Sequence, residues 1–133
     1  MRVMIDTNIL ISAVLFPRGK ASSALMKALH PPYEAVICDY VLDEFKRKFD
    51  EKFPDSKNAM EDFLVGFLTQ VELVETPRNA KEEEASIRDP KDRPILRAAL
   101  EAHADLFLTG DKDFLESSVT DPRIISVGEF MEL

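Results

Sequence analysis

MRVMIDTNIL, residues 1–10, runs after Arg2 through an apolar stretch to Ile5, stops at the carboxylate of Asp6, and continues at once with Thr7-Asn8 and a second apolar run. Val3, Met4 and Ile5 follow one another without polar alternation, which is the pattern of a short strand buried on both faces. An acid at the end of such a strand sits where the chain leaves the sheet. The same event recurs in ADLFLTGDKDF, residues 104–114, where an apolar run ends at Thr109-Gly110 and hands over to Asp111.

Between these two points the chain alternates. EAVIC (34–38), VELVE (71–75), DLFLT (105–109) and RIISV (123–127) read as further short strands. Ala21, Ala24, Leu25, Ala28 and Leu29 recur at helical spacing until His30-Pro31-Pro32 stops them. Asp39 stands at the N-cap position of a helix whose Val41, Phe45, Phe49 and Phe53 share one stripe. Met60, Phe63, Leu64, Phe67 and Leu68 mark another helix, and Ile95, Leu96, Ala99, Leu100 and Ala102 a third. GEFMEL (128–133) reads as a closing helical turn, and TPRNAKEEEASIRDPKD (76–92) as a polar connector with at most a solvated turn. Strands separated by helices predict an α/β fold with a parallel sheet covered on both faces. In such sheets ligands bind beyond the carboxyl ends of the strands, where the strand order reverses.

The 133 residues read as a single domain, 1–133. No run approaches the roughly 18 apolar residues of a membrane span, and Met1 leads straight into the first strand, so the expected location is cytoplasmic. Cys38 is the only cysteine, which rules out an internal disulfide or a cysteine-cluster metal site. The net charge of −8 argues by itself against an electrostatic nucleic-acid binder.

The acids answer that objection. Asp6 and Asp111 fall at strand ends on the same edge. Asp92, in IRDPKDRPIL, lies at the start of the helix before the fourth strand, since Pro94 is tolerated only in a first turn. Asp89 followed by Pro90 is the alternative start. Glu44, with Asp43 as its rival, borders the buried stripe of the helix after the second strand and is spaced to pair with Lys48. Singly, each acid reads as a helix cap or a surface charge. Together they suit a hard cation, because Mg²⁺ and Mn²⁺ take carboxylate oxygens and substrate phosphate. The chain has no glycine-rich phosphate loop and no Cys-His cluster, and His30 and His103 read as helix-end residues rather than ligands. Two divalent ions about 4 Å apart would orient a water and stabilise a leaving oxygen at a phosphodiester, and would supply the missing positive charge.

With MIDTNIL, Glu44, DPKDRPILRAAL and LFLTGDKDF in place, the chain resembles a PIN-domain nuclease over essentially its full length. The resemblance implies a three-layer sandwich with a central five-stranded parallel sheet, and a Mg²⁺- or Mn²⁺-dependent ribonuclease. Asp6, Glu44, Asp92 and Asp111 match the catalytic, metal-binding quartet. Thr7 and Asn8 match polar positions beside the first acid, where an amide or hydroxyl can orient a carboxylate, Thr109 the small hydroxyl residue before the fourth acid, and Asp113 a further acid. Small single-domain members of this kind are often toxins of toxin–antitoxin pairs and often dimeric, so RNA, an antitoxin and a second copy are the expected partners. For substrate phosphates the candidates are Arg18 and Lys20 in the loop after the first helix, and Arg88, Lys91 and Arg93 around the third acid. The competing readings are a non-catalytic PIN-like module that binds a partner or RNA, and another metal-dependent phosphoryl-transfer domain. A receiver domain is disfavoured because VELVE ends without an acceptor Asp, and an Asp-x-Asp phosphatase because position 8 is Asn.

Overall fold

The computed structural model describes all 133 residues, Met1–Leu133. In chain order it contains β1 (Arg2–Ile5), α1 (Thr7–Leu15), α2 (Lys20–Ala28), β2 (Glu34–Cys38), α3 (Asp39–Lys52), α4 (Lys57–Phe67), β3 (Glu72–Val74), α5 (Arg93–Glu101), β4 (Leu106–Leu108), α6 (Lys112–Leu115), β5 (Arg123–Ile125) and α7 (Val127–Met131). Short 3₁₀ turns occupy Pro54–Ser56 and Glu82–Ser86. The five strands form one sheet in the order β3-β2-β1-β4-β5, every pair parallel.

Successive side chains of a strand point to opposite faces. Val3, Met4 and Ile5 of β1, Val36, Ile37 and Cys38 of β2, and Phe107 and Leu108 of β4 are all fully buried, so both faces of the central sheet are covered. The expected α/β layering is what the chain adopts. Starting at β1, the chain steps outward to β2 and β3, then returns to the other side of β1 to lay down β4 and β5. The order therefore reverses between β1 and β4, and the crevice above their carboxyl ends is the natural ligand site.

The helices close the layers with aromatic contacts. Phe45 and Phe49 of α3 meet edge to face at 5.1 Å, and Phe107 of β4 meets Phe114 of α6 at 4.6 Å. α1 shows little amphipathic period because Ile9, Leu10, Ile11 and Ala13 are all buried. No single helix is long and apolar enough to cross a membrane.

Three local readings change. Asp39 is the first residue of α3 rather than its N-cap, which is Cys38. Its Oδ1 instead accepts from the Tyr40 and Thr76 amides and from the Thr76 hydroxyl. Lys20 opens α2 instead of lying in the preceding loop. The polar connector is also anchored, not solvated. Glu84 of its 3₁₀ turn is buried and takes a two-pronged ion pair from Arg97 of α5, at 2.7 and 2.9 Å, while Ile87 is fully buried. Opposite charges and a fork-shaped donor let a carboxylate enter the interior here.

Candidate metal centre

The parallel register pairs Ile5 of β1 with Leu108 of β4, and the Asp6 amide donates to the Leu108 carbonyl at 3.0 Å. The next residues, Asp6 and Thr109, therefore emerge side by side at the carboxyl edge of the two central strands. Asp6 is 4 % exposed and Thr109 not at all, so neither can rely on water for hydrogen bonds. They satisfy each other: the Thr109 hydroxyl donates to Asp6 Oδ2 at 2.6 Å and accepts the Asp111 amide at 2.9 Å. One hydroxyl thus fixes the first acid and the backbone of the fourth. The Thr7 amide donates to Asp6 Oδ1 at 2.8 Å, which makes Asp6 the N-cap of α1. Asp111 caps α6 in the same manner, its Oδ1 accepting the Asp113 amide at 2.9 Å. Both strand-end acids are caps, and each keeps acceptor capacity beyond its cap bond.

Asp92 differs. It occupies the N-cap position of α5, with Pro94 in the first turn as the sequence implies, yet its carboxyl makes no cap bond. Asp89 does not start the helix; it accepts the Lys91 amide at 3.0 Å in the preceding turn. Burial, the charges of Asp111, Asp6 and Asp89, and a hydrogen bond shared with Asp111 push the Asp92 carboxyl up to about 7. Burial likewise pushes Asp6 up to about 6, with the Thr109 and Thr7 hydrogen bonds opposing and the Glu44 and Asp111 charges adding. Neighbouring acids that hold on to a proton near neutrality occupy a site where a cation relieves the same repulsion.

Glu44 projects from α3 with a side chain only 12 % exposed, whereas its rival Asp43 is exposed. Its weak charge partner is Arg47 at 4.0 Å, not Lys48. On the other side of Asp92, carboxylate oxygens of Asp89, Asp92 and Asp113 lie within 4.8 Å of one another, so both Asp89 and Asp113 join the acid group. Asp113 is also held by Arg88 at 3.0 Å. The donor set is all oxygen, with no histidine or thiol, which suits a hard divalent cation. The buried Thr7 hydroxyl, next to Asp6, has no hydrogen-bond partner.

A family model described as PIN domain matches residues 2–113, a span that contains every acid of this group. The chain belongs to the PIN domain family. Two solved structures share the fold. One is VapBC2 from Rickettsia felis, bound to a DNA fragment from its promoter, with a TM-score of 0.71, 18% identity, and coverage of 95% of this chain and 98% of that one. The other is VapBC-1 from nontypeable Haemophilus influenzae, with a TM-score of 0.61, 19% identity, and coverage of 96% and 99%. No curated protein matches significantly.

In this PIN domain the remaining expected residues divide. The Thr109 hydroxyl donates to Asp6, Thr7 does so through its backbone amide and not its hydroxyl, and Asn8 is exposed. Arg88 and Lys91 are exposed beside the third acid, while the Arg93 Nε donates to the Ile87 carbonyl at 2.9 Å and so is occupied within the loop. Arg18 and Lys20 lie beyond the far end of α1, about 13 Å of helix away from Asp6, and form no ion pair with any acid. What the sequence did not disclose is Tyr40, whose phenol sits among these acids.

Proposed function

We propose that this PIN domain is a Mg²⁺- or Mn²⁺-dependent endoribonuclease, the toxin half of a toxin–antitoxin pair that acts in the cytoplasm as a dimer. The observation that carries the nuclease reading is the convergence of Asp6, Asp92 and Asp111 at the β1/β4 crevice, with Asp92 withheld from capping. The fold match to VapBC chains, which this chain covers almost end to end, supports the toxin role.

Asp6, Glu44, Asp92 and Asp111 would hold the cations, with Asp89 and Asp113 adjoining them. Bound ions supply the Lewis acidity and the activated water that phosphodiester hydrolysis needs. The chain's own residues set the stage. Thr109 and the Thr7 amide hold the Asp6 carboxylate in one orientation, so little reorganisation remains when charge develops. Asp92, whose carboxyl burial and the neighbouring acids push up to about 7, would hold the cation as the carboxylate. Exposed Arg88 and Lys91 stand where phosphates flanking the scissile bond would pass.

The test is cleavage of a mixed, labelled RNA pool by wild type and Asp111→Asn, each with Mn²⁺, Mg²⁺ or EDTA. Wild type is expected to cut with either ion and not in EDTA, and the variant not at all. Cutting by the variant, or in EDTA, contradicts the nuclease assignment of these acids. Failure of wild type to cut or to bind either ion favours the partner-binding reading, in which Asp6 and Asp111 serve only as the helix caps they also are.

A further inference from the structure

We propose that Tyr40 is a positioning residue of the acid centre, its hydroxyl strapping the loop that carries Asp89 and Asp92 to the helix that carries Glu44. The proposal deepens the nuclease reading above and rests on it. Tyr40 Oη donates to the Lys91 carbonyl at 2.5 Å, across a separation of 51 residues. Lys91 directly precedes Asp92. Glu44 lies four residues after Tyr40 on α3, one turn along the same face. A single bond therefore joins the backbone beside one acid to the helix face that presents another.

The rest of the geometry explains why this joint matters. The Asp89–Asp92 turn is built from its own short bonds, Lys91 amide to Asp89 Oδ1 and Asp92 amide to the Asp89 carbonyl, each at 3.0 Å. These shape the turn, buried Ile87 before it and Ile95 and Leu96 of α5 after it seat its two ends, and the Tyr40 bond ties its middle to α3. The Asp92 carboxyl makes no cap bond, so its position follows the backbone that bears it. The first turn of α3 is itself held from the other side, because Asp39 Oδ1 accepts the Thr76 amide at 2.8 Å and the Thr76 hydroxyl at 2.6 Å. Tyr40 thus carries that fixed point across to the turn that bears Asp92. Burial, with the charges of Glu44, Asp92 and Asp89 adding to it and Arg47 opposing, pushes the phenol up, so it stays a donor through neutral pH.

Deleting the hydroxyl should barely touch global stability, because Lys91 is exposed and water can take the freed carbonyl. The effect falls on alignment, and groups that orient metal ligands typically shift affinity by about tenfold or more.

The experiment compares wild type, Tyr40→Phe and the control Tyr33→Phe, whose ring packs on Phe130 at 5.0 Å just before the amino-terminal end of β2, at the opposite edge of the sheet from the acids. Three quantities are read: amide hydrogen exchange at residues 89–93 without metal, the Kd for Mn²⁺ by calorimetry, and the melting temperature. Tyr40→Phe is expected to exchange faster over 89–93 and to bind Mn²⁺ about tenfold more weakly, with the melting temperature moved by no more than a few degrees and Tyr33→Phe unchanged. Wild-type exchange or wild-type Mn²⁺ affinity in Tyr40→Phe overturns the strap while leaving the nuclease reading standing. If wild type itself binds no Mn²⁺, the nuclease reading fails and takes the positioning role with it, whatever the exchange data show.

Discussion

Asp6→Asn is expected to lower RNA cleavage on the order of 1,000-fold and, in EDTA at pH 8, to raise the stability of the protein. The two effects have one cause. Asp6 is 4 % exposed, and burial with neighbouring acids lifts its carboxyl from 3.8 to about 6. Below pH 4 the group is protonated in both folded and unfolded chains and contributes nothing to the pH dependence. Between pH 4 and 6 the unfolded chain releases its proton first, so stability falls as pH rises. Above pH 6 both forms are ionised and the full penalty, about 3 kcal/mol, is in place. An asparagine cannot ionise and avoids it. The amide loses the Thr109 hydroxyl as a donor to Oδ2, a cost of about 1 kcal/mol, which leaves a net gain of about 2 kcal/mol. Urea unfolding of both proteins at pH 4 and pH 8 in EDTA measures it, with the variant expected about 1 kcal/mol less stable than wild type at pH 4, where only the lost hydrogen bond counts, and about 2 kcal/mol more stable at pH 8. Equal stabilities at pH 8 would show that the ionised Asp6 carboxylate carries no penalty from its burial and its neighbours' charge.

The second large effect is expected at Thr109. Thr109→Val preserves shape but removes the hydroxyl that donates to Asp6 and accepts the Asp111 amide. Both partners belong to the acid edge, and Asp6 has no water to turn to, so the loss should cost about 2 kcal/mol of stability. RNA cleavage should drop by about 10- to 100-fold, as for other groups that orient metal ligands. Thr109→Ser, which restores the hydroxyl, should recover most of both. A Ser variant as impaired as Val would assign the effect to packing of the methyl and not to the hydrogen bonds.

Much of this was written along the chain. RVMI, EAVIC and LFL declare buried strands because no polar residue interrupts them, and the acids at two of their ends declare the edge on which a ligand belongs. Pro94 placed the start of α5, and so Asp92, because its ring fits only a first turn. What the sequence hid are relations between distant residues. Thr109 reaches Asp6 across 103 positions, and Tyr40 reaches Lys91 across 51. Strand order sets the first and helix docking the second, and neither leaves a local pattern. Glu84 was hidden for another reason: a run of three glutamates reads as solvated until Arg97, one turn into α5, is known to neutralise one of them in the interior. Asp39 looked like a cap because a short acid before a helix usually is one, and the approach of Thr76 from the segment after β3 redirected it.

The central claim is that these carboxylates form one cation centre. The direct measurement is calorimetric titration of Mn²⁺ into wild type, Asp92→Asn and Asp111→Asn at pH 6.5, in two buffers of different ionisation heat. With Asp92 near 7 and Asp6 near 6, binding to wild type should release on the order of one proton. Asp92→Asn should bind more weakly and release fewer, and Asp111→Asn should bind weakly or not at all. Mn²⁺ binding with no proton release, unchanged in both variants, would place the ion elsewhere and contradict the account.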